Sequence, residues 1–309
     1  AKTGPAMLGA DGVRRYLVAF ASPGEARAAI GTMGNYAVIT IDHGTISRTG
    51  FGRVNGLSNE VRATDGVPVQ MTPEFLAHYG SYSFNDDGTA AAAAWSNITM
   101  TPDVPSAASV MAQLWEATGH DPIDGLFIID PAGLAALLSA TGPITVEGLD
   151  QPLDSTNVER FLLLDQYQSD TPERADLLAS VADATMDALL KGALPSSQVL
   201  AHDLGPAATG GHLLGWAKRP EEQELMRLIG MSGGLPDPDG RDGFAIVNNN
   251  ATANIAQTFA AIQQLIDIFP TFSDATQDTV HALAEAAGGM DKLSASYASY
   301  VSHFYSASE

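Results

Sequence analysis

Arginine set beside carboxylate is the chemistry this sequence leaves open. Arg27 follows a strand-like segment and a Ser22-Pro23-Gly24 turn, with Glu25 just before it; Arg174 follows Thr171-Pro172-Glu173, with Asp170 one helical turn upstream. The planar guanidinium fork matches phosphate and carboxylate oxygens better than a lysine does. Plainer roles compete for both. Arg27 can bridge to Glu25 or clamp its own loop by a hydrogen bond. Arg174 places a cation in the first turn of a helix, against the dipole, and a bridge to Asp170 relieves that. Asp124 and Asp130 bracket an apolar strand and by alternation share a face. Asp124 reads as a turn former, and Asp130, ahead of Pro131, as a helix cap.

Most other chemistries fall away. The chain has no cysteine, which removes disulfides, Cys-ligated zinc, iron–sulfur clusters and thiol catalysis. Its histidines stand at 43, 78, 120, 202, 212, 281 and 303, with no two within one helical turn, so no local His-x-x-x-His metal motif exists. Neither a G-x-S-x-G elbow nor a phosphate-cradling G-x-x-x-x-G-K-[ST] loop occurs. Gly31 and Gly34 make only G-x-x-G, too little for a dinucleotide fingerprint. Asp237-Pro-Asp239-Gly240-Arg-Asp242 has calcium-loop composition without EF-hand spacing, and reads as a solvated turn.

These groups need elements to hold them. The chain of 309 residues is one large domain or two, and its 45% hydrophobic content suffices for a core. Fifteen Lys and Arg against 36 Asp and Glu leave a net charge of −21, which repels nucleic acid and anionic lipid. Residues 15–21 read as a strand, and Tyr36–Asp42, His43-Gly44 and Thr45–Arg48 as a β-hairpin. Residues 50–95 are mostly polar and turn-forming, with short elements around 59–82. Ser106 is expected to cap a helix carrying Val110, Met111, Leu114 and Trp115; Trp115 is core, whereas Trp95, in loop-like sequence, is a candidate for stacking on a sugar. Strands are expected at 124–130, 144–146 and from Phe244, and helices at 131–138, from 171 and over 220–229. After about residue 256, Phe259, Ile262, Leu265, Ile266 and Phe269 recur at helical spacing. Two more helices follow, over about 273–288 and on Leu293, Tyr297, Val301 and Phe304. The fold class is therefore α/β with an all-helical C-terminal segment, divided as 1–255 and 256–309, and the helical tail must bury its stripes on the body or on a second copy, a possible homo-oligomer.

Arg15-Tyr-Leu-Val, Glu25-Ala-Arg27-Ala-Ala-Ile-Gly31-Thr-Met-Gly34, Thr101-Pro-Asp103-Val-Pro105, Ile123-Asp124-Gly125-Leu-Phe-Ile-Ile-Asp130-Pro131 and Thr141-Gly142-Pro143 occur in that order. So do Arg174, Gln223 with Gly230, and Asn248 to Asn254. Over residues 7 to about 254 this resembles the domain-of-unknown-function 4012 family, itself similar to the LytR–CpsA–Psr phosphotransferases that attach glycopolymers to the bacterial cell wall. Ala28 and Ile30 depart from the family, which has Pro and Gly there. The resemblance implies a mixed sheet flanked by helices and an extracytoplasmic, cell-surface location, with a membrane anchor outside residues 1–309. It also implies a lipid-linked glycan carrier as partner. Arg27 and Arg174 would then be the catalytic phosphate ligands, Gly31 and Gly34 would line the substrate, and Glu25 and Asp170 would hold Mg²⁺ or its outer shell. Phosphoryl transfer is catalysed largely by charge neutralisation and positioning, so arginines and a divalent cation suffice without a protein nucleophile. Two readings stand: a metal-assisted phosphotransferase or pyrophosphatase acting on lipid-linked glycan, favoured by Glu25, Arg27 and Arg174; and a non-catalytic surface module binding glycan or protein, favoured by Ile30 and the few basic residues.

Overall fold

A computed structural model of the protein describes residues 3–24, 26–64, 66–85, 87–165, 174–191, 197–235, 243–249 and 301–307. The chain forms two compact units, Ala1–Asp237 and Pro238–Glu309.

The first unit is built on a five-stranded mixed sheet. Arg-Arg-Tyr-Leu-Val-Ala-Phe-Ala-Ser makes β1 (Arg14–Ser22), buried along most of its length as a central strand must be. β2 (Thr32–Asp42) and β3 (Thr45–Arg53) are the expected hairpin, extended past Arg48. Its two-residue turn puts His43 at φ 47° and Gly44 at φ 80°, the pair of positive angles that lets a tight turn follow the strand twist. Backbone N–H groups of His43 and Gly44 donate to Gly9 and Leu8 carbonyls at 3.2 and 2.8 Å, so the hairpin tip is tied down. β6 (Gly125–Ile129) lies parallel to β1, Phe20 opposite Ile129, and β7 (Leu213–Ala217) runs antiparallel to β6. The sheet order is β3-β2-β1-β6-β7. Two-residue strands β4 (Val67–Pro68) and β5 (Thr89–Ala90) pair separately.

Strand alternation divides the core into two layers. One face presents Val18, Ala37, Ile129 and Leu213 to α6 (Pro131–Thr141), α7 (Val158–Leu163), α8 (Arg174–Lys191) and α9 (Ser197–Thr209). Leu134, Leu138, Val158 and Val181 fill that layer. Arg48 of β3 binds Asp183 of α8 and reaches Asp187 at 3.2 Å, tying that helix to the sheet. The other face buries Leu17, Ala19, Leu126 and Ile128 beneath α2 (Val54–Ala63), α4 (Ala94–Asn97) and α5 (Val104–Ala117). Trp115 meets Tyr36 edge-on at 5.6 Å there, and His120 stacks on Trp115 at 3.8 Å while its Nε2 lies 2.7 Å from Glu60 Oε2. α3 (Pro73–Ser83) is capped by Thr72, and α1 (Thr3–Met7) and α10 (Pro220–Leu228) pack together.

Several expectations change. The cap of α5 is Asp103, whose Oδ2 accepts from the Ser106 N–H at 3.1 Å. The helix begins at Val104 with Pro105 in its first turn, so Ser106 already lies inside it. Residues 144–146 form a single bridge, Ile144 to Leu153, rather than a strand. Trp95 is 1% exposed and belongs to the core, so it stacks on no sugar. In the second unit, β8 (Gly243–Asn249) pairs antiparallel with β9 (Val301–Ala307). Val301 and Phe304 therefore lie on a strand, not a third helix: Val301-Ser-His-Phe-Tyr-Ser is rich in residues that favour a pleated surface. Phe259, Ile262, Leu265, Ile266, Phe269, Leu293 and Tyr297 lie outside the described residues.

Candidate functional site

In open α/β sheets, ligands bind beyond the carboxyl ends of parallel strands. Here that edge lies past Ser22 of β1 and Ile129 of β6, and the loop over residues 23–31 returns to it. Gly31 closes the loop at φ 102°; a Cβ there would lie 2.2 Å from the Ser22 carbonyl oxygen, so only glycine fits. Its N–H donates to the Arg27 carbonyl at 2.9 Å, and its own carbonyl accepts from the fully buried Thr99 hydroxyl at 2.9 Å. The Ala29 N–H donates to the Thr99 carbonyl at 3.0 Å. On this frame Arg27 donates Nη1–H to the Ala26 carbonyl at 3.0 Å and Nη2–H to Asn97 Oδ1 at 3.1 Å, while Asn97 Nδ2 donates to the Tyr82 carbonyl at 2.8 Å. The guanidinium is thereby fixed in plane and position. Gly34 lies within β2, exposed, and a Cβ there would meet nothing within 4 Å. Arg174 opens α8; its side chain, Glu25 and Asp170 lie outside the described residues.

A second constellation occupies the same edge. Asp130 caps α6, its Oδ1 accepting from the Gly133 N–H at 2.8 Å, while its Oδ2 lies 2.8 Å from His212 Nδ1. Its backbone N–H donates to the His212 carbonyl at 3.3 Å. The cap was legible in Asp130-Pro131. The histidine was not, because it lies 82 residues away and no local signal pairs it with Asp130.

The opposite edge carries a buried ion cluster that the sequence also concealed. Arg14 Nη1 donates to Asp124 Oδ1 at 3.0 Å, Nη2 lies 3.2 Å from Asp11 Oδ1 and 3.1 Å from Glu222 Oε1, and Nε–H donates to the Ala6 carbonyl at 3.1 Å. Asp124 is thus an ion-pair partner, its Oδ2 also accepting from the Arg15 N–H at 2.9 Å, and not a mere turn former. Burial pushes the Glu222 carboxyl up, and Arg14 and Arg219 pull against it. Burial likewise raises the Tyr16 phenol, whose hydroxyl donates to the Met7 carbonyl at 2.8 Å.

Shallow concavities occur elsewhere among the described residues of this unit. One, about 240 Å³, lies between α3 and α5 and is lined by Thr72, Phe75, Ser106 and Gln113; another, about 280 Å³, is lined by Pro143, Ile144, Asp187 and Ala188. Neither includes Arg27 or His212. Among the described residues no three His, Asp or Glu side chains converge to hold a metal ion.

A family model described as "Protein of unknown function (DUF4012)" matches residues 11–167, just over half of the chain. Among solved structures, the Bacillus subtilis protein yvhJ, described as a transcriptional regulator, is 12% identical with a TM-score of 0.35, over 70% of this chain and 75% of that one. The protein gbs0355 of Streptococcus agalactiae is 13% identical with a TM-score of 0.37, over 72% and 73%. TagV of B. subtilis is 13% identical with a TM-score of 0.32, over 71% and 80%. No curated protein matches the chain.

Proposed function

The chain belongs to the DUF4012 family, and from that premise we propose that it is an extracytoplasmic protein of the bacterial cell envelope that works at the carboxyl edge of its sheet. There it holds the pyrophosphate of a lipid-linked glycan and passes the phosphoryl-bearing glycan to an acceptor hydroxyl. The observation that carries this reading is the fixed Arg27 guanidinium on the glycine-closed loop after β1. A guanidinium already oriented by its own loop loses little freedom when it meets an anion. The reading includes a membrane anchor; among the described residues no helix is long and apolar enough to cross a membrane.

A divalent cation would neutralise charge on the transferred group. The described residues supply no set of ligands for one, and Glu25 and Asp170, the expected ligands, lie outside them. A second reading, a non-catalytic module that binds envelope glycan or protein, is favoured by the same hydrogen bonds, because they also suffice to make Arg27 a clamp between its loop and α4.

Titration calorimetry with inorganic pyrophosphate, with and without Mg²⁺, separates the two. Each charge-assisted hydrogen bond is worth about 1.5–3 kcal/mol, so Arg27→Lys should weaken binding roughly ten- to hundred-fold while the protein still folds. Absence of binding to the wild-type protein under both conditions rejects the phosphate site and leaves the clamp.

A further inference from the structure

His212 immediately precedes β7, beside the cap of α6, and both are at the edge where Arg27 sits. The Asp130 side chain is 8% exposed and the His212 ring 45%, so a buried carboxylate holds a ring that reaches solvent. Both carboxylate oxygens are engaged, one by the helix N–H and one by the imidazole. A carboxylate only accepts, so Nδ1 carries the proton, and in the neutral ring Nε2 presents its lone pair outward. Among the described residues nothing bonds to Nε2. The surrounding backbone fixes the ring as well. A Cβ on Gly133 would lie 2.1 Å from the His212 carbonyl oxygen, and one on Gly210 would lie 3.0 Å from His212 Cδ2. Glycine at 133 lets α6 approach the His212 backbone, and glycine at 210 leaves room for the ring itself. A cap needs only an acceptor for the helix N–H; it does not need a half-exposed imidazole held on its second carboxylate oxygen.

Resting on the phosphotransfer reading above, we propose that His212 is the proton acceptor for that reaction and that Asp130 is the residue positioning it. The acceptor hydroxyl, from a glycan or from water, gives its proton to Nε2 as its oxygen forms a bond to the phosphorus bearing the glycan. The bond from that phosphorus to the bridging oxygen breaks, and its electron pair leaves with the carrier phosphate. The imidazolium then returns its proton to that phosphate or to solvent. Neither His212 nor Asp130 is consumed.

The test uses the full chain with geranyl pyrophosphate and Mg²⁺, water as acceptor, and release of inorganic phosphate as readout. General-base catalysis contributes about 10²–10⁴-fold. His212→Gln should therefore lower kcat at least about 100-fold with KM and pyrophosphate binding held within about twofold. Asp130→Asn keeps a helix cap, but its amide can donate to Nδ1 and force the proton onto Nε2. It should lower kcat with KM unchanged, and ¹⁵N resonances of His212 should report the switched tautomer. Unfolding curves matching wild type show that both variants fold. Turnover by His212→Gln at the wild-type rate overturns the assignment. So does a wild-type protein that binds pyrophosphate without releasing phosphate, and that result leaves the binding reading intact. A wild-type protein that does not bind pyrophosphate overturns both.

Discussion

Replacing Arg14 by methionine should cost about 3–5 kcal/mol at neutral pH, and the cost should shrink in acid. Three carboxylates surround the guanidinium, and they differ in what they can do without it. Asp11 and Asp124 side chains are 50% and 28% exposed, so water can take over much of Arg14's role. Glu222 is 1% exposed. Its remaining cation, Arg219, stands at 3.9 Å on a half-exposed side chain, and neither Glu222 oxygen makes a well-formed hydrogen bond. Removing one partner of a buried pair leaves a buried charge unpaired, worth about 3–5 kcal/mol. Burial already raises the Glu222 carboxyl above its ordinary value, and loss of Arg14 raises it further. A carboxyl raised in the folded state binds its proton more tightly there than in the unfolded chain. The stability it lends is complete below the unfolded value, near pH 4, and is lost as pH climbs through the folded one. The variant should therefore approach the wild type as pH falls toward 4.5. Urea unfolding followed by tryptophan fluorescence reports on the first unit, which holds Trp95, Trp115 and Trp216. Adding Glu222→Met should recover most of the loss, since an apolar pair can replace a buried ion pair at little cost. A cost under about 1 kcal/mol at pH 7, an undiminished cost at pH 4.5, or a double variant as unstable as the single would refute the reasoning.

Gly31→Ala should destabilise by about 2 kcal/mol or more, from its positive φ and the 2.2 Å approach to the Ser22 carbonyl. Gly34→Ala, in open space, should stay within about 0.5 kcal/mol, and equal melting temperatures for the two would contradict the loop geometry. His120→Ala removes both the stack on Trp115 and the contact with Glu60. It should cost about 1 kcal/mol, and a double-mutant cycle with Glu60→Gln should show coupling; additive losses would mean that the His120–Glu60 contact is idle.

What could be read from the chain was local. β1 and β6 announce themselves as apolar runs between turns, and His43-Gly44 as a hairpin tip. Asp130-Pro131 states its cap in two residues. α2 was hidden because its apolar positions, Val54, Leu57 and Val61, are sparse within a polar stretch. α3 carries Thr72-Pro73, the same signal that marks Thr171-Pro172, yet its surroundings read as turn. Arg27 was conspicuous because arginine is scarce here and a loop follows the first strand. His212 with Asp130, and Arg14 with Glu222, are pairs made by the sheet: one joins α6 to β7, the other the start of β1 to α10. Such pairs follow from strand order, and strand order is not encoded in any single segment.

The hairpin between β2 and β3 gives the molecule a built-in handle. Its tip stands at the edge where β1 begins, a nine-residue strand and so about 30 Å from the edge that carries Arg27 and His212. Thr45 is exposed at that tip, the neighbouring His43 and Gly44 are pinned by Leu8 and Gly9, and the chain contains no cysteine. Thr45→Cys therefore introduces one reactive thiol on a rigid mount. Coupled through it to a sensor chip, every molecule faces the solution in the same orientation, with Arg27 and His212 outward to meet a pyrophosphate or a glycan.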